Sequence, residues 1–172
     1  LCLTGGSTPV SAYERLATAE GIEWDRVHLF WGDRPETIAA QMAQISAMAA
    51  THGRQEALGF GMRLQIICRE TEAEAAREVQ RITNVAPGSP GYANYLDWTQ
   101  NTKLDRAVSL EDYSVSNRGL RSGLVGTPRQ VADQVLAFEA AGVDLLLLQF
   151  SPQMEEMERF AAEVIPLVNG AG

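Results

Sequence analysis

The chain has 172 residues, 45% of them hydrophobic, with 14 lysines and arginines against 22 aspartates and glutamates, for a formal charge of −8. That length fits one domain or a piece of a larger one, and the acidic balance argues against a nucleic-acid partner, since no basic stripe is present to neutralise phosphates. No apolar run reaches the roughly 18–20 residues of a membrane span, so no membrane partner is expected. The longest clean run, VDLLLLQF at 143–150, is strand-sized. Cys2 and Cys68 each lie inside an apolar run with no signal-peptide pattern ahead of them. They read as small buried hydrophobes in a reducing, cytoplasmic compartment. The chain opens on Leu1 in mid-strand, which reads as a fragment whose natural start lies upstream.

Four units repeat one plan of strand, turn and helix. The first strand is expected at about 1–4, with Thr8 as cap, Pro9 at the first helical position and a helix to about Ala19. The second strand is VHLFW at 27–31. Asp33 is then placed to cap a helix, with Glu36 three residues on. That helix carries Ile38, Met42, Ile45 and Ala49 as one apolar stripe and stops near His52 and Gly53. The third strand is expected at about 61–69, followed by a capping box of Thr71 and Glu74 and a helix to about Ile82.

Residues 84–123 break the pattern with prolines, glycines, asparagines and three tyrosines. Forty residues without clear periodicity are too long for an ordinary connection and read as an insertion or lid, with short helices expected near 93–106. Thr127-Pro128 restarts the plan, with Val131, Val135 and Phe138 as a stripe ending at Gly142. The last strand is 143–150. Ser151-Pro152 opens a final helix predicted to bury Met154, Met157, Ala161, Val164 and Val168 on one face. The methionine groups read as core filler and the run Glu155, Glu156, Glu158 as a solvated face.

Strands alternating with helices predict an α/β fold of parallel β/α units with right-handed crossovers. Near-continuous apolar strands suit a sheet covered on both faces. An open doubly wound sheet and a length of (β/α)₈ barrel both satisfy this, and in both the ligand lies beyond the C-terminal ends of the strands. At the first such end stand Gly5, Gly6, Ser7 and Thr8. Two glycines allow close backbone approach, and the following helix presents free amides, so the turn suits a phosphate or carboxylate. A tight turn with a routine helix cap explains it equally well. No cysteine–histidine cluster has zinc-site spacing, and His28 and His52 read as structural, so no metal is expected.

The stretch GGSTP, the YERLA helix and the block I-x-W-x-R-V-H-x-F-W-G-D at 22–33 resemble the N-terminal part of 6-phosphogluconolactonases. That resemblance stops at Asp33, and the family's Gly-x-Gly-x-Asp-Gly-His segment is absent. From about Trp31 onward, WGDRPETIAAQMAQISAMAATHGR, FGMRLQIICRETEAEA and LVGTPRQVADQVLAFEAAGVDLLLLQFSPQMEEMERFAAEVIPL are similar to the C-terminal half of bacterial-luciferase-like flavin monooxygenases. Within these the alkanesulfonate and dimethyl-sulfone group is nearest. The two resemblances together imply a join near Gly32-Asp33, between a phosphate-loop segment at 1–33 and the C-terminal half of a TIM barrel at 31–172.

The second resemblance implies an FMNH₂-dependent monooxygenase, or a fragment of one, acting with O₂ on a small organosulfur substrate such as a sulfone or alkanesulfonate. It also implies a separate flavin reductase and a homo-oligomer. The FMN phosphate would sit at Gly5, Gly6, Ser7 and Thr8. Arg63 matches an active-site arginine suited to a sulfonate or sulfinate oxygen, or else forms a salt bridge at the barrel mouth. Gln65 replaces the family's histidine, which fits a neutral sulfone better than a strict alkanesulfonate. Arg118 and Arg121 in SNRGLRSGLVG fall where the family carries a mobile-loop arginine, and Ser151 replaces a tyrosine. Trp31 and Phe150 end strands and either line an apolar pocket or pack in the core. Two further readings stand beside this one: a sugar-lactone hydrolase, and a non-catalytic half-barrel exposing the inner face of its strands.

Overall fold

A computed structural model describes residues 28–31, 33–54, 56, 58–101, 107, 109–117 and 119–170. The expected first strand and helix, with Gly5, Gly6, Ser7 and Thr8, lie outside the described residues, as does Arg118. The described elements begin with β1 (His28–Trp31), α1 (Pro35–Thr51), β2 (Gly59–Gln65), β3 (Ile67–Cys68) and α2 (Glu72–Thr83). They continue with α3 (Pro90–Asn101), α4 (Leu110–Asn117), a 3₁₀ turn (Leu120–Ser122), β4 (Val125–Gly126), α5 (Pro128–Ala140) and β5 (Leu145–Gln149). The final helix is α6 (Gln153–Arg159), a π-helical turn (Phe160–Val164) and α7 (Ile165–Asn169).

All described strand pairs are parallel. The larger sheet has the order β1-β2-β5, and β3 and β4 form a second, two-stranded sheet, so the chain passes through β3 and β4 before β5 returns beside β2. The expected third strand is broken at Ile66. Up to Gln65 it pairs with β5, and from Ile67 it pairs with β4 instead. Ile66 makes the transition by donating its N–H to the carbonyl of Gln149, and Ile67 donates to Leu124.

Alternation along β2 sets the two faces. Met62, Leu64, Ile66 and Cys68 are buried on the helical side. They join Ile38 and Met42 of α1, Val131, Ala132 and Phe138 of α5, and Val164. The α1 stripe is as the spacing predicts: Ile38, Met42 and Ala49 are buried and Ile45 packs on the core. The α5 stripe holds too, with Val131 and Phe138 fully buried. A smaller cluster of Ile67, Ala75 and Leu120 fastens α2 and the 3₁₀ turn to β3.

The capping box of Thr71 and Glu74 forms as expected, and Thr127 forms a second one with Gln130. Asp33 is not the cap of α1. Arg34 occupies that position without a side-chain bond, and Asp33 Oδ1 accepts the Arg34 N–H at 2.8 Å. Within segment 84–123 the short helix expected near 93–106 appears as α3, starting earlier at Pro90, and α4 follows it. Their rings hold the pair together: Tyr95 and Trp98 sit 5.4 and 5.1 Å from Tyr113.

The final helix departs from its predicted stripe. Met154 and Met157 are exposed, as is Ala161, while Glu156 is buried. The buried line runs through Glu156, Phe160, Val164 and Val168, a spacing of four that accompanies the π turn at 160–164. Glu156 is no solvated acid. It accepts a 2.7 Å bond from Arg69, which also donates to the carbonyl of Cys68 and lies 3.7 Å from Glu78.

Candidate functional site

Parallel pairing fixes which side chains share the face opposite the helices. In register, Gly61 lies beside Leu145, Arg63 beside Leu147 and Gln65 beside Gln149. These six residues point to one side because side chains alternate along a strand. The face is not sealed by apolar contacts: Leu145 is 43% exposed and Leu147 is 52% exposed. Arg63 is exposed, and Gln65 and Gln149 are half-buried. The apolar run VDLLLLQF therefore does not mean that both faces are covered. Leu146 and Leu148 pack into the core while Leu145 and Leu147 do not.

The C-terminal ends of β2 and β5 thus present a guanidinium and two carboxamides above a leucine floor. Among the described residues Arg63 has no ion pair and no hydrogen bond. Gln149 is the residue that sequence reasoning passes over. Its signal was a polar residue closing the four leucines of β5, at the end where a barrel puts its ligands.

Arg121 comes to the same strand by a different route. The 3₁₀ turn that carries it packs against β2. Gly119, just before that turn, has φ +72° and lies against the strand backbone. A Cβ there would stand 3.1 Å from Leu64 Cα, 3.3 Å from the Arg63 carbonyl oxygen and 3.3 Å from the Gln65 nitrogen. Arg121 itself is half-buried and, like Arg63, has no described ion-pair partner. The structure therefore brings Arg63, Gln65 and the turn of Arg121 to one strand.

The other candidates resolve differently. Phe150 is core packing: its ring stands 5.7 Å from Phe160, edge-on, among residues joined to the main cluster. Trp31 pairs in register with Met62 through its backbone. Ser151 is exposed at a cis bond to Pro152. Cys68 is buried on the helical side, away from the candidate face. Burial, followed by the negative charge of Glu163, pushes its thiol up to about 11. Glu78 is held below the usual carboxylate range, chiefly by hydrogen bonds from Arg81. Among the described residues no group of histidines, cysteines and acids is arranged to hold a metal, and no helix is long and apolar enough to cross a membrane.

Comparison with known proteins decides the family. Residues 11–145 match the profile of the luciferase-like monooxygenases. The chain belongs to that family. The matched range extends across residues 32 and 33, and the comparisons give no support to the lactonase resemblance or to the join expected there.

Within the luciferase-like proteins, the chain is 33% identical over 153 residues to an FMNH(2)-dependent dimethylsulfone monooxygenase of Pseudomonas putida, covering 80% of this chain and 39% of that protein. The fold resembles the crystal structure of a long-chain alkane monooxygenase (LadA), with a TM-score of 0.69 and 20% identity over 99% of this chain and 41% of that one. It also resembles DmoA from Hyphomicrobium sulfonivorans, with a TM-score of 0.68, 20% identity, and coverage of 99% of this chain and 41% of that one. The chain thus spans about two-fifths of the length of these relatives. Its parallel β/α units follow the barrel architecture of the luciferase-like fold.

Proposed function

We propose that this chain contributes the C-terminal half of the active site of an FMNH₂-dependent monooxygenase acting on a small, uncharged organosulfur compound. The observation that carries the reading is the face at the ends of β2 and β5, where Arg63, without an ion pair among the described residues, and the neighbouring carboxamides Gln65 and Gln149 stand over Leu145 and Leu147. A dimethylsulfone monooxygenase as relative supports the substrate class.

The donor set suits this chemistry. A sulfone has two strongly polar oxygens and two apolar ends. The carboxamide N–H groups donate to the oxygens, and the leucines accept the rest without an unpaired polar atom. Arg63 is permanently charged and steadies negative charge on a flavin or substrate oxygen. Bound reduced flavin supplies the oxygen chemistry: one atom of O₂ enters the substrate and the other leaves as water, with the two electrons coming from the flavin. The residues of this chain bind, orient and exclude water. Gly5, Gly6, Ser7 and Thr8 are proposed to take the FMN phosphate through backbone amides, and Arg118 is proposed to act with Arg121. Segment 84–123 serves as the lid. A separate reductase delivers reduced flavin in the cytoplasm.

The test supplies FMN, an NADH-driven flavin reductase and air, and follows the loss of dimethyl sulfone and of an alkanesulfonate by mass spectrometry. Flavin-dependent loss of the sulfone ahead of the sulfonate is expected. Absence of both flavin binding and sulfone loss ends the proposal. A second reading, a non-catalytic half-barrel that binds a partner through its inner face, is favoured by the exposure of Leu145 and Leu147. It predicts association without flavin binding.

A further inference from the structure

We propose that Gly119 is a positioning residue. It seats the turn of Arg121 directly on the backbone of β2, so that Arg121 works against the same substrate as Arg63 and Gln65. The inference rests on the proposed function and deepens it, because it names the contact by which the lid segment reaches the site.

Two observations carry it. The first is contact. A Cβ at Gly119 would lie 3.1 Å from a backbone carbon of β2 and 3.3 Å from two further backbone atoms, all belonging to Arg63, Leu64 and Gln65. Backbone in the middle of a sheet does not yield as the end of a flexible side chain does, so any larger residue must lift the turn off the strand. The strand it touches is the one bearing both candidate side chains, at the residue between them. The second is a matched contrast within the same turn. Gly123 closes the 3₁₀ turn with φ +78°, close to the +72° of Gly119. A Cβ at Gly123 meets only the side-chain amide of Gln134, at 3.4 and 3.9 Å. Both positions share the left-handed backbone that disfavours other residues. Only Gly119 adds close approach to the site.

The turn is otherwise well fixed. Ser122 is fully buried with its hydroxyl donating to the Gly119 carbonyl, and Gln134 of α5 donates to the Ser122 carbonyl at 2.9 Å. Leu120 is buried against Ile67 and Ala75. The seat on β2 therefore lies at one end of a turn already held at the other by α5, and a displacement at Gly119 is passed to Arg121, two residues on.

The test compares Gly119→Ala with Gly123→Ala. The first readout needs neither flavin nor substrate: trypsin cleavage after Arg121 in the folded chain. Cleavage is expected to be about tenfold faster in Gly119→Ala than in Gly123→Ala, because opening of the turn sets the rate. The second readout is sulfone oxidation with reductase-supplied flavin. Gly119→Ala is expected to raise KM about tenfold with a smaller change in kcat, an effect within the roughly 100-fold that a misplacement of about 1 Å can cost, while Gly123→Ala stays near wild type. Arg121→Gln is expected to cost far less in the Gly119→Ala background than alone, as coupled residues are non-additive. Equal cleavage of the two glycine variants overturns the docking. Unequal cleavage with additive kinetics overturns the positioning role. A wild-type chain without flavin binding or oxidation, but with unequal cleavage, overturns the functional reading and the role that depends on it.

Discussion

Gln149 and Gln65 meet only through register, and each carries a carboxamide where a titrating group would discriminate by charge. If the two amides hold the substrate oxygens, Gln149→Leu removes about one to two hydrogen bonds and raises KM for dimethyl sulfone roughly tenfold. The fold should tolerate the change because the position is on the uncovered face. Steady-state kinetics check it, and an unchanged KM takes Gln149 out of the site. Cys68 gives a prediction of a different kind. Its thiol is pushed up to about 11 by burial and by Glu163, from an ordinary value of 9.0. The folded chain therefore keeps the proton after the unfolded chain has released it. The contribution to stability is intact below about pH 9 and is lost as pH rises from there to about pH 11. Urea melts should show this alkaline loss in wild type and a shallower one in Cys68→Ala, once the general cost of the smaller side chain is subtracted. The place of Arg63 near the end of its strand was legible from the sequence, through the Arg-Leu pattern of its strand. Gln149 carried a weaker signal, a glutamine closing an apolar run, which gains its meaning only when the register puts Gln65 beside it.

At the scale of elements, the two capping boxes are coupled in a way that neither predicts alone. The side-chain oxygen of Gln130 accepts the backbone N–H of Thr127 at 3.0 Å, and its amide nitrogen donates to Glu72 Oε1 at 2.7 Å. One side chain thus ties the start of α5 to the start of α2. Gln130→Glu keeps the acceptor but loses the donor, and sets a second carboxylate against Glu72. A loss of about 1–2 kcal/mol is expected, or a few degrees in Tm, more than Thr71→Ser costs. Thermal melts at low and high salt check it, because the repulsive part shrinks with screening. Helix starts and stripes were readable wherever the period stayed at 3.6: α1 and α5 follow their apolar spacing residue by residue. The last helix did not stay at that period. The π turn at Phe160–Val164 accompanies a buried line that includes Glu156, whose partner Arg69 lies 87 positions away. A pattern read within one helix contains no information about that arginine. In segment 84–123 the short helix expected near 93–106 appears as α3, but its bounds and its partner α4 were harder to read, since α3 buries no residue fully and is held by tilted ring contacts to Tyr113 of α4.

For the molecule as a whole, the decisive asymmetry is between the two faces of the β1-β2-β5 sheet. One is closed by α1, α5 and the last helix around Met62, Leu64 and Phe138. The other leaves Leu145 and Leu147 about half-exposed beside Arg63. In a luciferase-like barrel that second face is the interior, and this chain spans about two-fifths of its relatives' length. Exposed leucines in a row on a flat strand are a sticky surface, and burying each more fully is worth roughly 1–2 kcal/mol. The 172-residue chain by itself should therefore self-associate through this face, since its charge of −8 is too small to keep neighbours apart at moderate salt. Leu147→Lys places a cation in the middle of the contact, and a like charge from Arg63 lies beside it in register. Light scattering across a concentration series should show wild type moving to dimers or larger species while Leu147→Lys stays monomeric at about tenfold higher concentration. The substitution leaves the helical core untouched, because Leu146 and Leu148 rather than Leu147 pack there. A wild-type chain that remains monomeric throughout would mean that the inner face is already covered, and the variant would then melt below wild type instead of resisting association.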